Sequence, residues 1–150
     1  MQIVTTRFGA LEIQEEQIIH IPDGIIGFPD ERKYVLLEQK KGSPFIWLQS
    51  VDNGALAFVL IDPLLFKPDY KVEIGLEDAE ELELKNGGNE AQIMAIVNIL
   101  KRGEDGKPTA ITANLLGPIV INPQKRLAKQ VVNYDGQYSH RHPIPLTKNA

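Results

Sequence analysis

The sequence predicts a mostly β protein: a small antiparallel β-barrel-like single domain with one short helix. Three observations carry this. First, residues 44–70 are the densest apolar stretch in the chain, and two strand-like runs, 45–51 and 56–61, flank Asp52-Asn53-Gly54. Asn-Gly between such runs is the strongest short-range signal for a tight hairpin. A two-residue turn there pairs Val51 with Leu56, Gln49 with Phe58 and Trp47 with Leu60 on one face, and Leu48 with Val59 and Ile46 with Ile61 on the other. Both faces are then apolar, so the hairpin belongs at the centre of a covered sheet or in the wall of a barrel, with Trp47 and Phe58 as core. Second, most other apolar segments alternate at period two and are bounded by Gly, Pro, Asn or Asp. Third, one segment alone, 76–84, shows clear helical spacing.

In chain order, residues 2–6 and 11–14 read as strands joined at Phe8-Gly9-Ala10, and 18–21 continues them as a meander. Ile25-Ile26-Gly27-Phe28-Pro29 is apolar but too punctuated by Gly and Pro for regular structure. Since loops normally shed apolar residues, Ile25, Ile26 and Phe28 are expected to tuck into the core. Residues 34–38 form a strand before the hairpin, and Asp62-Pro63 stops the ladder because proline has no N–H to give. Leu64-Leu65-Phe66, between Pro63 and Pro68, is a second apolar loop, and 70–74 returns to strand alternation. The helix 76–84 has a narrow stripe of Leu76, Ala79 and Leu82, its other positions being Glu77, Asp78, Glu80, Glu81 and Glu83. Its early acids suit a helix N-terminus, and Gly87-Gly88-Asn89 ends it. Residues 91–100 fit a short buried helix or a strand; β-branched Ile93, Ile96, Val97 and Ile99 favour the strand, paired through a 102–107 loop with 109–113. Asn114-Leu115-Leu116-Gly117-Pro118 is a third apolar loop, strands follow at 119–121 and 127–133, and residues 138–150 read as a loosely held tail.

The chain of 150 residues fits one domain, which at this size buries roughly 68–70% of its unfolded surface. Cysteine is absent, which excludes disulfides, thiolate metal sites and cysteine catalysis and fits a reducing compartment. No signal-like segment or run of membrane-spanning length occurs, so a soluble cytoplasmic protein is expected. The net charge of -4 is uneven: residues 123–150 carry five Lys/Arg against Asp135, a net of +4, which leaves -8 on residues 1–122. An acidic body disfavours direct nucleic-acid binding and favours a basic protein partner reached by electrostatic steering.

Catalytic constellations are weak. His140 and His142 alternate but adjoin Pro143 and lack a specified third ligand, so no metal site is expected. Asp62 and Asp69 sit beside prolines as turn residues rather than as an acid–base pair, and Asp52 lies in the hairpin turn. Gly24-x-x-Gly27 lacks the lysine and the following helix of a phosphate-cradling loop. No cofactor and no enzymatic activity is expected; three apolar loops on a β domain fit a binding module.

The ordered set GIIGFPD (24–30), PFIWLQS (44–50), FVLIDP (58–63), Pro68-Asp69-Tyr70, TANLLGPIVIN (112–122) and Lys129-Gln130-Val131 resembles the FliW family of flagellar assembly factors over nearly the whole chain. The resemblance implies a non-enzymatic cytoplasmic protein that binds newly made flagellin. When flagellin is exported, it binds and antagonises CsrA, the RNA-binding repressor of flagellin translation. The candidate flagellin contacts are the apolar loops, Leu64, Leu65 and Phe66 with Asp69 and Tyr70, and Asn114, Leu115 and Leu116. An equally open reading has these apolar side chains capping the barrel. Glu77 and Glu80 on the helix are the candidate steering charges for CsrA. The alternative is a direct RNA-binding β-barrel that regulates translation itself, which needs a basic or aromatic-lined face.

Overall fold

Strand alternation sorts the apolar residues into two sets, and the computed structural model, which describes residues 1–85, 90–133 and 137–145, shows where each set goes. The described strands are β1 (Gln2–Thr5), β2 (Gly9–Glu12), β3 (Ile19–His20), β4 (Lys33–Leu37), β5 (Phe45–Ser50), β6 (Ala57–Ile61), β7 (Gln92–Arg102), β8 (Pro108–Ala113), β9 (Ile119–Asn122), β10 (Leu127–Gln130) and β11 (His142–Pro143), with one helix, α1 (Leu76–Glu81). The hairpin β5–β6 is central, flanked by β4 and β7. The order β7-β6-β5-β4-β3-β10-β9 closes on itself because β7 also pairs with β9. All of these pairings are antiparallel except β3 with β10, where His20 lies beside Leu127 in parallel. The expected barrel is therefore present.

β7 makes closure possible by changing partners along its length. Gln92–Met94 pairs with β9, Val97 and its two preceding residues with β6, and the segment from Val97 onward with β8, which leaves the barrel as a projecting ribbon. Inward residues of successive strands, among them Tyr34, Leu48, Leu60, Met94, Ile119 and Ile121, fill the lumen with Ile25 and Ala128. Side chains alone pack it, as expected for a barrel of this size.

The outward set is also apolar, and three pieces of the chain cover most of it. The β1–β2 hairpin, a separate two-stranded sheet and not the start of a meander, packs Ile3, Ile13 and Ile18 over Val35 and Val51. The segment after β6 lays Phe66, Tyr70 and Val72 with Leu115, Tyr138 and Ile144 over Ile61, Ala95 and Val97. Around α1, Leu82, Ile74 and Leu84 meet Val120 and Val131.

Several expectations are corrected. The hairpin register is one residue away from a two-residue turn: Trp47 pairs with Val59, Leu48 with Phe58 and Gln49 with Ala57. A two-residue turn of the expected kind needs positive φ at Asn53 and Gly54, and neither has it. The connection is instead longer and held from below by Gln49, whose buried Nε2 lies within hydrogen-bond distance of the carbonyls of Ser50, Gly54 and Leu56. Glycine is required at 54 for another reason. A Cβ there would lie 2.0 Å from the carbonyl oxygen of Val4, where β1 crosses the loop. Trp47 is half-buried on the barrel's outside instead of lying in the core, whereas Phe58 packs against the lumen residues and Tyr34.

Residues 70–74 keep their alternation, with Val72 and Ile74 turned inward, but pair with no strand. Side chains replace the missing neighbour: the Lys71 amide donates to Tyr138 Oη, and Asn133 Nδ2 donates to the Lys71 carbonyl. The helix is shorter than expected, and Leu76, placed on its buried stripe, is 86% exposed, so Leu82 carries the contact alone with half-buried Ala79. The proposed stop at Gly87-Gly88-Asn89 lies outside the described residues. The tail is docked through residue 145: the Leu115 amide donates to the Ser139 carbonyl, β11 pairs with β8, and Ile144 is buried. Residues 146–150 lie outside the description.

Two predictions follow from this packing. Gly54→Ala should destabilise by about 1–3 kcal/mol through displacement of β1, and Gly54→Asn should be no better tolerated. Chemical denaturation of both variants checks this, because a positive-φ turn would accept Asn. Burial, reinforced by Glu31, pushes the Tyr34 phenol up to about 12. Burial also pushes Tyr70 up to about 12, against the opposing hydrogen bond from Asn133. Both phenols are thus held neutral in the folded state, so their contribution is complete below the unfolded value near 10 and is lost as pH rises toward 12. Ultraviolet titration should show two of the four tyrosines ionising late, together with loss of structure.

Candidate partner-binding surfaces

The second apolar loop is rigid because its ends are tied down. Asp62 Oδ1 accepts from the Leu64 amide and caps a single 3-10 turn, Pro63–Leu65; Pro63 is buried, and its carbonyl accepts from the amides of Phe66 and Lys67. Phe66 packs into the outer apolar layer and stacks on His142 with ring centroids 5.8 Å apart. Leu64 and Leu65 are left projecting into solvent, 52% and 63% exposed. Asp69 is exposed beside Lys67, whose ammonium donates to it at 3.2 Å and holds its carboxyl below the usual carboxylate range.

The third loop is tied to the second at one point, where Tyr70 Oη donates to the Leu115 carbonyl at 2.6 Å. Asn114 Oδ1 accepts from the amides of Leu116 and Gly117, so its side chain is occupied in holding the turn. Leu115 is fully buried while Leu116 faces outward. Of the loop residues expected to touch a partner, Tyr70 and Leu115 are thus core, Phe66 is half-buried packing, and Leu64, Leu65, Asp69 and Leu116 remain as surface. The capping reading accounts for Tyr70, Leu115 and Phe66, and the other four stay exposed.

The first loop divides in the same way. Ile25 enters the lumen, but Ile26 and Phe28, expected to tuck in with it, stand 76% and 40% exposed, Phe28 with its ring edge-on to Phe58. Gln130 straps this loop to the third, accepting from the Ile26 amide and donating to the Gly117 carbonyl.

On α1 the acids do two jobs. Lys129 on β10 lies 2.7 Å from Asp78 and also contacts Glu81, with Asp23 at 3.9 Å. Burial disfavours its ammonium, but the hydrogen bonds to Asp78 and Glu81 outweigh this and hold its pKa above the ordinary lysine value. Glu77 and Glu80 point to solvent beside exposed Leu76, forming an acidic face with an apolar tip.

One surface escaped the sequence. At the margin of the layer laid down after β6, Phe45, Trp47, Val59, Val97, Ile99 and Ile111 line a cleft of about 640 Å³, with Val97 and Ile111 themselves buried. Arg7, Lys40, Arg102 and Lys107 ring it, and no carboxylate lines it. Arg7 sits over the Trp47 ring at 4.4 Å from its centroid, Phe8 meets that ring edge-on, and Trp47 Nε1 donates to Gln39. The doubly apolar hairpin was the available signal. The cations could not be placed, because they come from three separate parts of the chain: Arg7 after β1, Lys40 after β4, and Arg102 with Lys107 at the β7–β8 turn. Among the described residues no group of three His, Cys, Asp or Glu is placed to hold a metal ion.

The chain matches the family model described as FliW protein over residues 2–144. It is 42% identical over 144 residues to a protein of Natranaerobius thermophilus called flagellar assembly factor FliW, covering 96% of this chain and 92% of that one. A protein of the same name from Treponema denticola is 41% identical over 150 residues, covering 100% and 97%. The solved structure described as the crystal structure of the flagellar assembly factor FliW superposes with a TM-score of 0.85 at 35% identity, covering 99% of each chain. A closed barrel with this strand order, matched in sequence and structure over almost its whole length, makes the chain a member of the FliW family of flagellar assembly factors.

Proposed function

We propose that this chain binds newly made flagellin in the cytoplasm and, as flagellin is exported, binds and antagonises the translational repressor CsrA, which restores flagellin synthesis. The observation that carries the reading is the pair Leu64 and Leu65: two large apolar side chains held in solvent on a turn with a buried proline, an aspartate cap and an anchored Phe66. Such preorganisation lowers the entropy lost on docking, and an amphipathic helix end of flagellin would supply the complementary apolar face. No helix of the described residues is long and apolar enough to cross a membrane, which is compatible with a cytoplasmic site of action. The work is binding and not catalysis.

CsrA, as an RNA-binding protein, is expected to be basic where it meets phosphate, and the free carboxylates of Glu77 and Glu80 offer it an acidic face. Regulation requires that the two complexes disfavour each other, a negative coupling that acts equally in both directions.

Two outcomes test this. Leu64→Ser and Leu65→Ser should each weaken flagellin binding by ~1 kcal/mol or more while stability changes by less than ~0.5 kcal/mol. Phe66→Ser should lower the melting temperature first. Calorimetric titration beside thermal melts checks both, and unimpaired flagellin binding by the double leucine variant would remove this loop from the interface. Charge reversal at Glu77 and Glu80 to Lys should slow CsrA association several-fold at low ionic strength, with the difference shrinking as salt is added, and leave flagellin association unchanged. Stopped-flow measurement decides; an unaltered CsrA rate would exclude the helix.

A further inference from the structure

Three segments cover most of the outer apolar layer, and part of it along β5, β6, β7 and β8 stays open. There, the cleft floored by Phe45, Trp47, Val59, Val97, Ile99 and Ile111 continues into a second concavity of about 520 Å³, which shares Arg7, Trp47, Val59, Val97, Ile99 and Arg102 with it and extends to Phe58, Ile96 and Leu100. Together they make an elongated groove. From Ile96 to Arg102 the strand rise gives it a length of ~20 Å, which matches ~13 residues of α-helix.

Charge selects the occupant. Residues 1–122 are acidic by eight charges, yet Arg7, Lys40, Arg102 and Lys107 converge on this groove without a lining carboxylate, and Lys101 joins them at its far end. Glu104 and Asp105 lie close by in the β7–β8 turn, where Asp105 Oδ1 accepts from the Lys107 amide and so belongs to the turn. An apolar floor bordered by cations complements a helix with a leucine-type stripe flanked by Asp and Glu. Nucleic acid is the weaker fit. Stacking needs an open aromatic face, and Trp47 has Arg7 over its ring and Phe8 against it.

We infer that this groove docks an acidic amphipathic helix of a partner protein, at a surface separate from the leucine loop and from α1.

Trp47 is the sole tryptophan, so its emission reports occupancy directly. The probes are two synthetic 14-residue helical peptides with the same leucine stripe, one flanked by Glu and its twin by Lys, and a 15-nucleotide oligouridylate. The Glu peptide should shift Trp47 emission and bind at least tenfold tighter than its twin, with an affinity that falls as salt is added. Reversing the rim with Lys40→Glu and Lys107→Glu, at two exposed positions where melting should be unchanged, should weaken the Glu peptide at least tenfold and strengthen the Lys peptide. Ile99→Ser, at the half-buried floor, should weaken both. Equal affinity for the two peptides, no response of Trp47 to either, or displacement of the Glu peptide by oligouridylate would overturn the inference. A Trp47 shift that tracks protein concentration without peptide, with dimers in sedimentation, would overturn it in favour of a second copy of this chain. Because none of these variants touches Leu64, Leu65, Glu77 or Glu80, failure here leaves the flagellin and CsrA reading to its own tests.

Discussion

A hairpin with apolar side chains on both faces cannot rest with either face in water, and the rest of the structure answers that constraint. One face is buried by curling the sheet until β7 reaches β9. The other is buried by wrapping three non-barrel segments around the outside. At ~25 cal/mol per Å² of apolar surface removed from water, both solutions are needed, since either face left open would forfeit a large part of a net stability that in proteins is only about 5–15 kcal/mol. The surface left exposed is then where wrapping stops, and its character is set by whichever side chains border the gap.

The sequence revealed the fold class because its strongest signals are local. Alternation at 45–51 and 56–61, the β-branched run at 91–100 and the single helical spacing at 76–84 each survive as elements. What it did not reveal depends on contacts between distant residues. Gly54 was legible as a turn residue, but its reason is the Val4 backbone, contributed by a strand some fifty positions earlier. Alternation at 70–74 was real, yet Asn133 and Tyr138 stand where a strand would have paired. Trp47 looked like core because it is large and sits in the densest apolar stretch. Its Leu48 neighbour points into the lumen, so Trp47 points out.

The side chains of the apolar loops divide between core and surface. In these short loops a turn buries one side chain and leaves its neighbours out: Leu115 is inside and Leu116 outside, Phe66 is packed and Leu64 and Leu65 are exposed. Composition identifies such a loop as unusual, but it cannot apportion the residues. Polar side chains make the apportioning permanent: Asn114, Asp62 and Gln130 each satisfy backbone groups that would otherwise be unpaired, which keeps the exposed leucines from collapsing inward.

The one parallel pairing, His20 beside Leu127, carries a consequence for how the chain comes off the ribosome. The barrel's seam joins residues from near the two ends, with the His20 amide donating to the carbonyl of Arg126. Until β9 and β10 have been synthesised, β3 has an open edge and the lumen residues Ile19, Ile21 and Tyr34 lack the wall that Ile119, Ile121 and Ala128 supply. Closure therefore waits until β9 and β10 have been made, and so non-local a topology places folding in the slow range, ~milliseconds to seconds, among β proteins. For a protein whose family serves flagellar assembly, the pool able to respond at any moment is then set by completed chains. Nascent ones, however abundant, contribute nothing until the last strands are in place.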